Sequence, residues 1–304
     1  MNGHSDHVAV SRRKLLQQSA LVLAGLGLSV RQSQASDLAA QPVLRFGMLT
    51  DVHHADKDSQ GDRHYRKSRD KVTEAVECFN RENLPMAIEL GDLIDSAETV
   101  EKELGNLKQI EEAYANFRGQ RHYVLGNHCV HTLTKQEFID HTAMRSPHCA
   151  FDLGGYHFVI LDSCFTKTGK SYQRGNFDWT DANVTRDQLN WLAADLNKND
   201  RPTVVFTHQR LDPEANSHYR IKQATEIRKI LEQSGNVRAV FSGHSHKNFH
   251  SQSNNIHYTV LRAVVSGSQP EDSGYAIVSL FEDGSIRLDG AGKQQSYTFA
   301  SKEE

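Results

Sequence analysis

Only four cysteines occur in 304 residues, Cys78, Cys129, Cys149 and Cys164, and no two of them stand in a Cys-x-x-Cys pair. That pattern excludes a zinc knuckle and a thioredoxin-like redox motif, and the count is too low for a disulfide scaffold. A basic surplus is missing too: 35 Lys and Arg against 38 Asp and Glu leave a formal charge of -3. A chain that tracks a nucleic-acid polymer needs cations to neutralise phosphates, so that partner is excluded. No Gly-x-Ser-x-Gly elbow is present, which removes a hydrolase built on a serine nucleophile of that kind. Long apolar runs are also absent. The best candidate, Ala20 to Val30, is about half of the ~20 residues that a bilayer span needs, so no stable membrane anchor is expected.

What the chain has in quantity is histidine, 17 residues of it. Neutral imidazole is the commonest metal ligand, so the count points toward metal chemistry.

Residues 1–35 read as an address. Ser11-Arg12-Arg13-Lys14-Leu15-Leu16 is a charged start, the apolar stretch to Val30 follows, and Ser33-Gln34-Ala35 offers small residues at a cleavage site. The paired arginines resemble a twin-arginine signal, which implies the twin-arginine export machinery as a partner, cleavage after Ala35 and a periplasmic or secreted product. That route carries folded proteins. It suits a chain that loads its metal before export, since affinity alone favours copper or zinc over manganese or iron.

Residues 36–42 read as a linker and 43–300 as one α/β domain, with a mixed sheet or a pair of sheets flanked by helices. Strands are expected at Val43–Thr50, Met86–Leu90, His122–Leu125, Thr203–Thr207 and Val237–Ser242. Helical spacing covers Arg63–Asn83, Thr99–Phe117, Thr134–His141, Thr185–Leu196 and Tyr219–Gln233. Cys149–Leu153 and Tyr156–Leu161 flank Gly154-Gly155 as a hairpin. Residues 166–184 read as a long loop. Phe249–Leu288 is expected to form three or four antiparallel strands, with Asp283-Gly284 as a hairpin turn.

Five of these strands end in residues with chemistry. Asp51-Val52-His53 follows the first. Gly91-Asp92-Leu93-Ile94-Asp95 follows the second, Gly126-Asn127-His128 the third, His208 the fourth and Gly243-His244-Ser245-His246 the fifth. Ligands of open α/β sheets bind beyond the carboxyl ends of strands, so side-by-side strands would bring all five groups together. The glycines are expected to let the backbone turn sharply and approach closely. Asp-x-His and His-x-His, taken as extended backbone, would each point both side chains to one side. Asp-x-His or Gly-Asp alone is common at strand ends and turns; the set in this order is the signal.

The order Asp-x-His, Gly-Asp-x-x-Asp, Gly-Asn-His, lone His, Gly-His-x-His resembles the calcineurin-like metallophosphoesterase superfamily over roughly Val43 to Leu288. The resemblance implies a sandwich of two mixed β-sheets flanked by helices and two divalent metal ions. It gives one ion to Asp51, His53, Asp92 and His246, and the other to Asp92, Asn127, His208 and His244, with Asp92 bridging. His128 would serve the leaving oxygen as proton donor or stabilise phosphoryl charge, and Asp95 would orient it. Two such ions clamp a phosphate and activate a water between them. The mixed nitrogen and oxygen donors suit manganese, iron or zinc better than magnesium or calcium.

Within the superfamily, Asp51-Val52-His53-His54-Ala55-Asp56-Lys57-Asp58 with Arg63-His64-Tyr65-Arg66 looks like the manganese-dependent ADP-ribose/CDP-alcohol diphosphatase branch. That implies a small nucleotide or other phosphorylated substrate. The alternatives are a broad alkaline-phosphatase-like monoesterase, a cyclic-nucleotide phosphodiesterase, and a metal-binding module without activity. Ser96 stands where the superfamily often has Arg, and Cys129 where it often has an acid, which argues against a phosphoprotein substrate. Cys129 reads as a small buried hydrophobe or as half of a disulfide with Cys164. Arg63, Tyr65, Arg66 and Arg69 are candidates for substrate contact, beside Asn127 and His128; a solvated helix start explains the four equally well. In the loop with Arg174, Asn176, Phe177, Asp178 and Trp179, an aromatic could stack on a base, though a buried structural Trp is the expected reading.

Overall fold

The computed structural model describes residues 41–301. The signal-peptide reading and most of the linker lie outside the described residues. Twelve strands form in chain order. They are β1 Leu44–Leu49, β2 Met86–Glu89, β3 Gln120–Tyr123, β4 Cys149–Leu153, β5 Tyr156–Ile160, β6 Thr203–Phe206, β7 Val237–Ser242, β8 Phe249–Ser253, β9 Ile256–Val260, β10 Gly274–Leu280, β11 Ile286–Gly292 and β12 Tyr297–Phe299. Five helices accompany them: α1 Ser68–Arg81, α2 Val100–Tyr114, α3 Lys135–Asp140, α4 Arg186–Leu196 and α5 Ala224–Ser234.

The strands build two six-stranded sheets, ordered β12-β11-β10-β1-β2-β3 and β4-β5-β6-β7-β9-β8. β1, β2 and β3 run parallel in the first, and β5, β6, β7 and β9 run parallel in the second. Alternation along each strand sorts the side chains into layers. Phe46 and Met48 of β1, Phe158 of β5, Phe206 of β6 and Phe241 of β7 share one apolar cluster. The Phe46 ring meets Phe158 and Phe206 edge-on, at 5.8 and 6.0 Å, so this cluster lies between the sheets. Leu49 faces the other way, onto Val72, Ala75, Val76 and Phe79 of α1 and Leu107 and Ile110 of α2. Val205 and Val240 pack on Leu189 and Leu192 of α4 and Ile227 and Leu231 of α5. The result is the expected sandwich of two mixed sheets flanked by helices.

Caps fix the helix starts where the sequence placed them. Thr99 and Thr185 accept from Lys102 N and Gln188 N, and Thr134 forms a capping box with Glu137. The expected helix at Tyr219 is a correction, because α5 begins only at Ala224. Tyr219 O and Ile221 N are taken by the backbone of Arg210, at 2.9 and 3.2 Å, so these residues pair as a bridge instead of turning. The tail is a second correction. Phe249–Leu288 holds four strands, β8 to β11, as expected in number, but they are divided between the two sheets and β9 lies parallel to β7. The segment between β9 and β10 passes behind the first strand end, where Val264 N and Val265 N bond to Thr50 O and Asp51 O, both at 3.0 Å. No helix among the described residues is long and apolar enough to cross a membrane.

Candidate metal centre

The parallel strands of both sheets deliver their carboxyl ends to one place. Ladder hydrogen bonds continue past the strands and set the loops: Asp51 N and His53 N bond to Gly91 O and Asp92 O at 2.9 and 2.7 Å, and Gly243 N to His208 O at 3.1 Å. The loops are not extended. Asp51, His53, Asp92, His244 and His246 have φ of 52, 44, 59, 67 and 61°. Asp-x-His and His-x-His therefore converge through left-handed backbone, which corrects the expectation of extended pairs. Left-handed backbone costs a non-glycine residue about 1–2 kcal/mol, so the packing around these loops must hold it.

The glycines act by close approach. A methyl group on Gly126 would overlap Asp92 Oδ1 and Asp92 N; one on Gly243 would overlap Thr50 Oγ1 and come 2.5 Å from Asp51 Oδ2. At Gly91, φ is 103° and His208 Nδ1 would be 2.5 Å from the added carbon.

Donor atoms of Asp51, His53 and His246 lie within 4.8 Å of one another, and so do those of Asp92, His208 and His244. His246 Nε2 is 3.3 Å from Asp51 Oδ1 and 3.0 Å from His53 Nε2. Asp92 Oδ2 stands between the two groups, 3.5 Å from His53 Nε2 and 3.0 Å from His208 Nε2. Asn127 is buried and lines the same cavity as His53, Asp92, His244 and His246. All seven predicted ligands are thus brought together, and Asp92 is the shared member.

Their chemistry fits cations. The Leu90 carbonyl, 2.9 Å from His208 Nδ1, can only accept, so that nitrogen carries the proton and Nε2 is turned to Asp92. His244 Nε2 is buried with no hydrogen-bond partner among the described residues. Burial lowers the His53 and His208 pKa values, but Asp51 and Asp95 around His53, and Asp92 and Asp51 around His208, more than reverse this and push both up to about 9. The carboxylates draw protons as substitutes for positive charge. Burial, then the neighbouring His208, brings His244 down to about 3, leaving it neutral and a lone-pair donor.

Asp95 joins the centre to its surroundings. Oδ2 is 3.3 Å from His53 Nδ1, and Oδ1 is 3.3 Å from His128 Nδ1. Burial opposes its ionisation, yet His128 and His53 hold its pKa well below the usual carboxylate range. The predicted His128–Asp95 pair is thus in place, and Asp95 also touches a predicted ligand. Lys57 completes the set, with Nζ 2.8 Å from Asp95 Oδ1 and 3.4 Å from Ser96 Oγ. Lys57 lies in the Asp51–Asp58 stretch singled out above, but the sequence assigned it no role of its own.

A cavity of about 510 Å³ opens over the centre, and Arg63, His128, Trp179, Tyr219 and Ser245 line it with five of the seven candidate ligands, His53, Asp92, Asn127, His244 and His246. Of the proposed substrate contacts Arg63 reaches it, while Tyr65 and Arg66 do not. Tyr65 is buried against Ala55, Ala263 and Val265. Arg66 turns outward to Asp56 and Asp58. Arg69 is exposed on α1, and Arg174 is held by Glu137. The aromatic expectation reverses. Phe177 stacks on Tyr172 at 4.0 Å, whereas Trp179 is 43% exposed and stands 5.7 Å from the His244 ring. Tyr219, hidden inside an expected helix, is 5.6 Å from His244 on the same side. Cys129 and Cys164 are buried free thiols, and no disulfide joins them.

Two sheets with a two-cluster centre at their strand ends are the frame of a dinuclear phosphoesterase. The model of the calcineurin-like phosphoesterase family matches residues 44–248, and the chain belongs to that family: it is a metal-dependent phosphoric ester hydrolase. The manganese-dependent ADP-ribose/CDP-alcohol diphosphatase of Oryza sativa subsp. japonica is 25% identical over 289 residues, covering 80% of this chain and 90% of that protein. The protein of the same name from Arabidopsis thaliana is 24% identical over 307 residues, covering 86% and 98%. Among solved structures, a dimetal phosphatase from Danio rerio has the same fold with a TM-score of 0.76 at 18% identity, covering 86% of this chain and all of that one.

Proposed function

We propose that this chain hydrolyses the diphosphate linkage of nucleoside diphosphate esters, of the ADP-ribose or CDP-alcohol kind, with two divalent ions, manganese foremost. The observation that carries this is the asymmetry of the cavity. Arg63, 3.9 Å from the same Asp95 oxygen that faces His53, lies on the His53 side, and the exposed Trp179 with Tyr219 lies on the His244 side. A substrate clamped by phosphate at the centre then sets a flat base on the indole and a polar group near the guanidinium. A simple sugar phosphate would leave Trp179 without a function. The activity for which the two plant relatives are named supports the same class.

Asp51, His53, Asp92 and His246 would hold one ion, and Asp92, Asn127, His208 and His244 the other. Bound, such a pair activates water and offsets charge on a phosphoryl group. His128 Nδ1 faces Asp95, leaving Nε2 to give a proton to the leaving oxygen. Asp95 keeps that imidazole oriented, and Lys57 offsets the charge of Asp95 at the same Oδ1 oxygen.

The test compares kcat/KM for ADP-ribose and CDP-alcohols with that for ribose 5-phosphate, with manganese. Trp179→Ala should lower the nucleotide values about 10-fold, the worth of one stacked base, and leave the sugar phosphate unchanged. Equal losses on both, or a sugar phosphate turned over as well as ADP-ribose, would sink the proposal. His128→Ala should cost about 10²–10⁴ in kcat; unchanged turnover would remove its role as proton donor.

We propose export by the twin-arginine route from Ser11-Arg12-Arg13. Cell fractionation should find the chain outside the cytoplasm, cut after Ala35, and replacing both arginines by Lys should retain it. An uncut cytoplasmic chain refutes this.

A further inference from the structure

Three strand ends meet at one side chain that carries no charge and does not line the cavity. Gln209 follows His208 and is fully buried. Its Nε2 donates to Asn127 Oδ1 at 3.2 Å. Its Oε1 accepts from the hydroxyl of Ser163, which is also fully buried, in the segment after β5. The chain of bonds runs in one sense, from Ser163 through Gln209 to Asn127. With the Ser163 hydroxyl donating to the Gln209 oxygen, the Gln209 NH2 faces Asn127, and that donor requires an oxygen opposite it.

We propose that Gln209, anchored by Ser163, is a positioning residue that fixes which end of the Asn127 amide is available to a cation. Only the amide oxygen coordinates a cation; the NH2 end carries partial positive charge and opposes it. Among the described residues Asn127 has no other side-chain partner to settle this. An amide oxygen has two lone pairs, so accepting from Gln209 leaves one for an ion. Groups that orient a ligand from behind change metal affinity by about 10–100-fold when removed. The effect falls on the ion held by Asp92, Asn127, His208 and His244, because Gln209 touches no ligand unique to the other group. The inference rests on the reading of Asn127 as a ligand.

Calorimetric titration of metal-free protein with Mn²⁺, alongside the electron paramagnetic resonance signature of coupled Mn²⁺ pairs, tests it without reference to turnover. Gln209→Leu should keep one ion near its wild-type affinity, weaken the other by about 10–100-fold and lose the coupled-pair signal at low metal. Gln209→Leu binding both ions as wild type does overturns the proposal. Gln188→Leu is the packing control: Gln188 is equally hidden and bonds to Asp162 N and O at 2.9 and 2.7 Å, close by in sequence to Ser163. It should leave both affinities in place; a matching loss there also overturns the proposal. Asn127→Ala should weaken the same ion. If it does not, the ligand assignment fails, an outcome distinct from failure of Gln209 alone. Should Gln209→Leu not fold, Ser163→Ala takes its place, with a smaller loss at the same ion expected and no loss overturning the proposal.

Discussion

Replacing Gly126 by Ala tests the centre through a single carbon atom. The added methyl overlaps Asp92 Oδ1 and N and comes 2.8 Å from Asp92 Cγ, against an ordinary contact of 3.4 Å or more. Clearing the overlap demands a displacement on the order of 1 Å. The obstacle is Asp92 itself, which is buried, and whose Oδ1 accepts from His128 N at 2.7 Å. Neither partner is the far end of a flexible side chain. Overpacking of this kind costs about 1–3 kcal/mol, and the strained bond to a charged acceptor lies in the same range. For a domain this size each kcal/mol lowers Tm by about 2–4 °C, so a fall of roughly 2–12 °C is expected. Activity should suffer more, since misplacing a reacting group by 1 Å costs about 10²-fold. The paired control is Gly105→Ala on the exposed face of α2, where nothing lies within 4 Å of the added carbon. It should raise stability by about 0.5–1 kcal/mol and leave kcat/KM alone. The assays are thermal unfolding and manganese-dependent turnover of each variant. Wild-type activity in Gly126→Ala would refute the reasoning, because the carbon cannot be accommodated without moving the shared carboxylate.

Lys71 is buried, with its ammonium bonded to the carbonyls of Val264, Ser266 and Gly267 at 3.0, 2.7 and 2.8 Å; Lys71→Met should destabilise by about 3 kcal/mol in denaturant unfolding, and a loss under 1 kcal/mol would refute this. Metal-free protein should be most stable near pH 6.5. His53 and His208, raised to about 9, lose their contribution as pH rises from 6.5 through 9, while His244, lowered to about 3, penalises folding as pH falls from 6.5 toward 3. Urea unfolding across pH checks the bell shape, and added manganese should flatten its alkaline limb by replacing the bound protons. Protein denatured without reductant should titrate four thiols, as the free cysteines require; two would mean a disulfide.

The residues gathered at the centre were legible because their types and order repeat what a dinuclear site needs, whatever the local backbone does. The backbone was not legible: Asp51 and His53 sit in left-handed torsions that Asp and His adopt only occasionally, held there by tertiary hydrogen bonds to Gly91 O and Asp92 O and, at Asp51 O, from Val265 N. The element pattern survived where period and caps agreed, as at Thr134 and Glu137. It failed at Tyr219, where pairing with distant Arg210 overrode a helical pattern. The walls were the hardest part. Phe177 and Trp179 are two residues apart, and only packing against Tyr172 decides which one is buried. Arg66 was drawn off by Asp56 and Asp58 in its own loop.

The positive φ values at five residues of the centre carry a consequence for engineering. Those torsions are imposed by the two sheets, while Trp179 and Tyr219 ride on segments outside any strand or helix. The reacting end and the recognising end therefore vary independently. Residues 166–184 and 212–222 are the place to retarget this enzyme, because new walls can be grafted there with the strand ends left untouched.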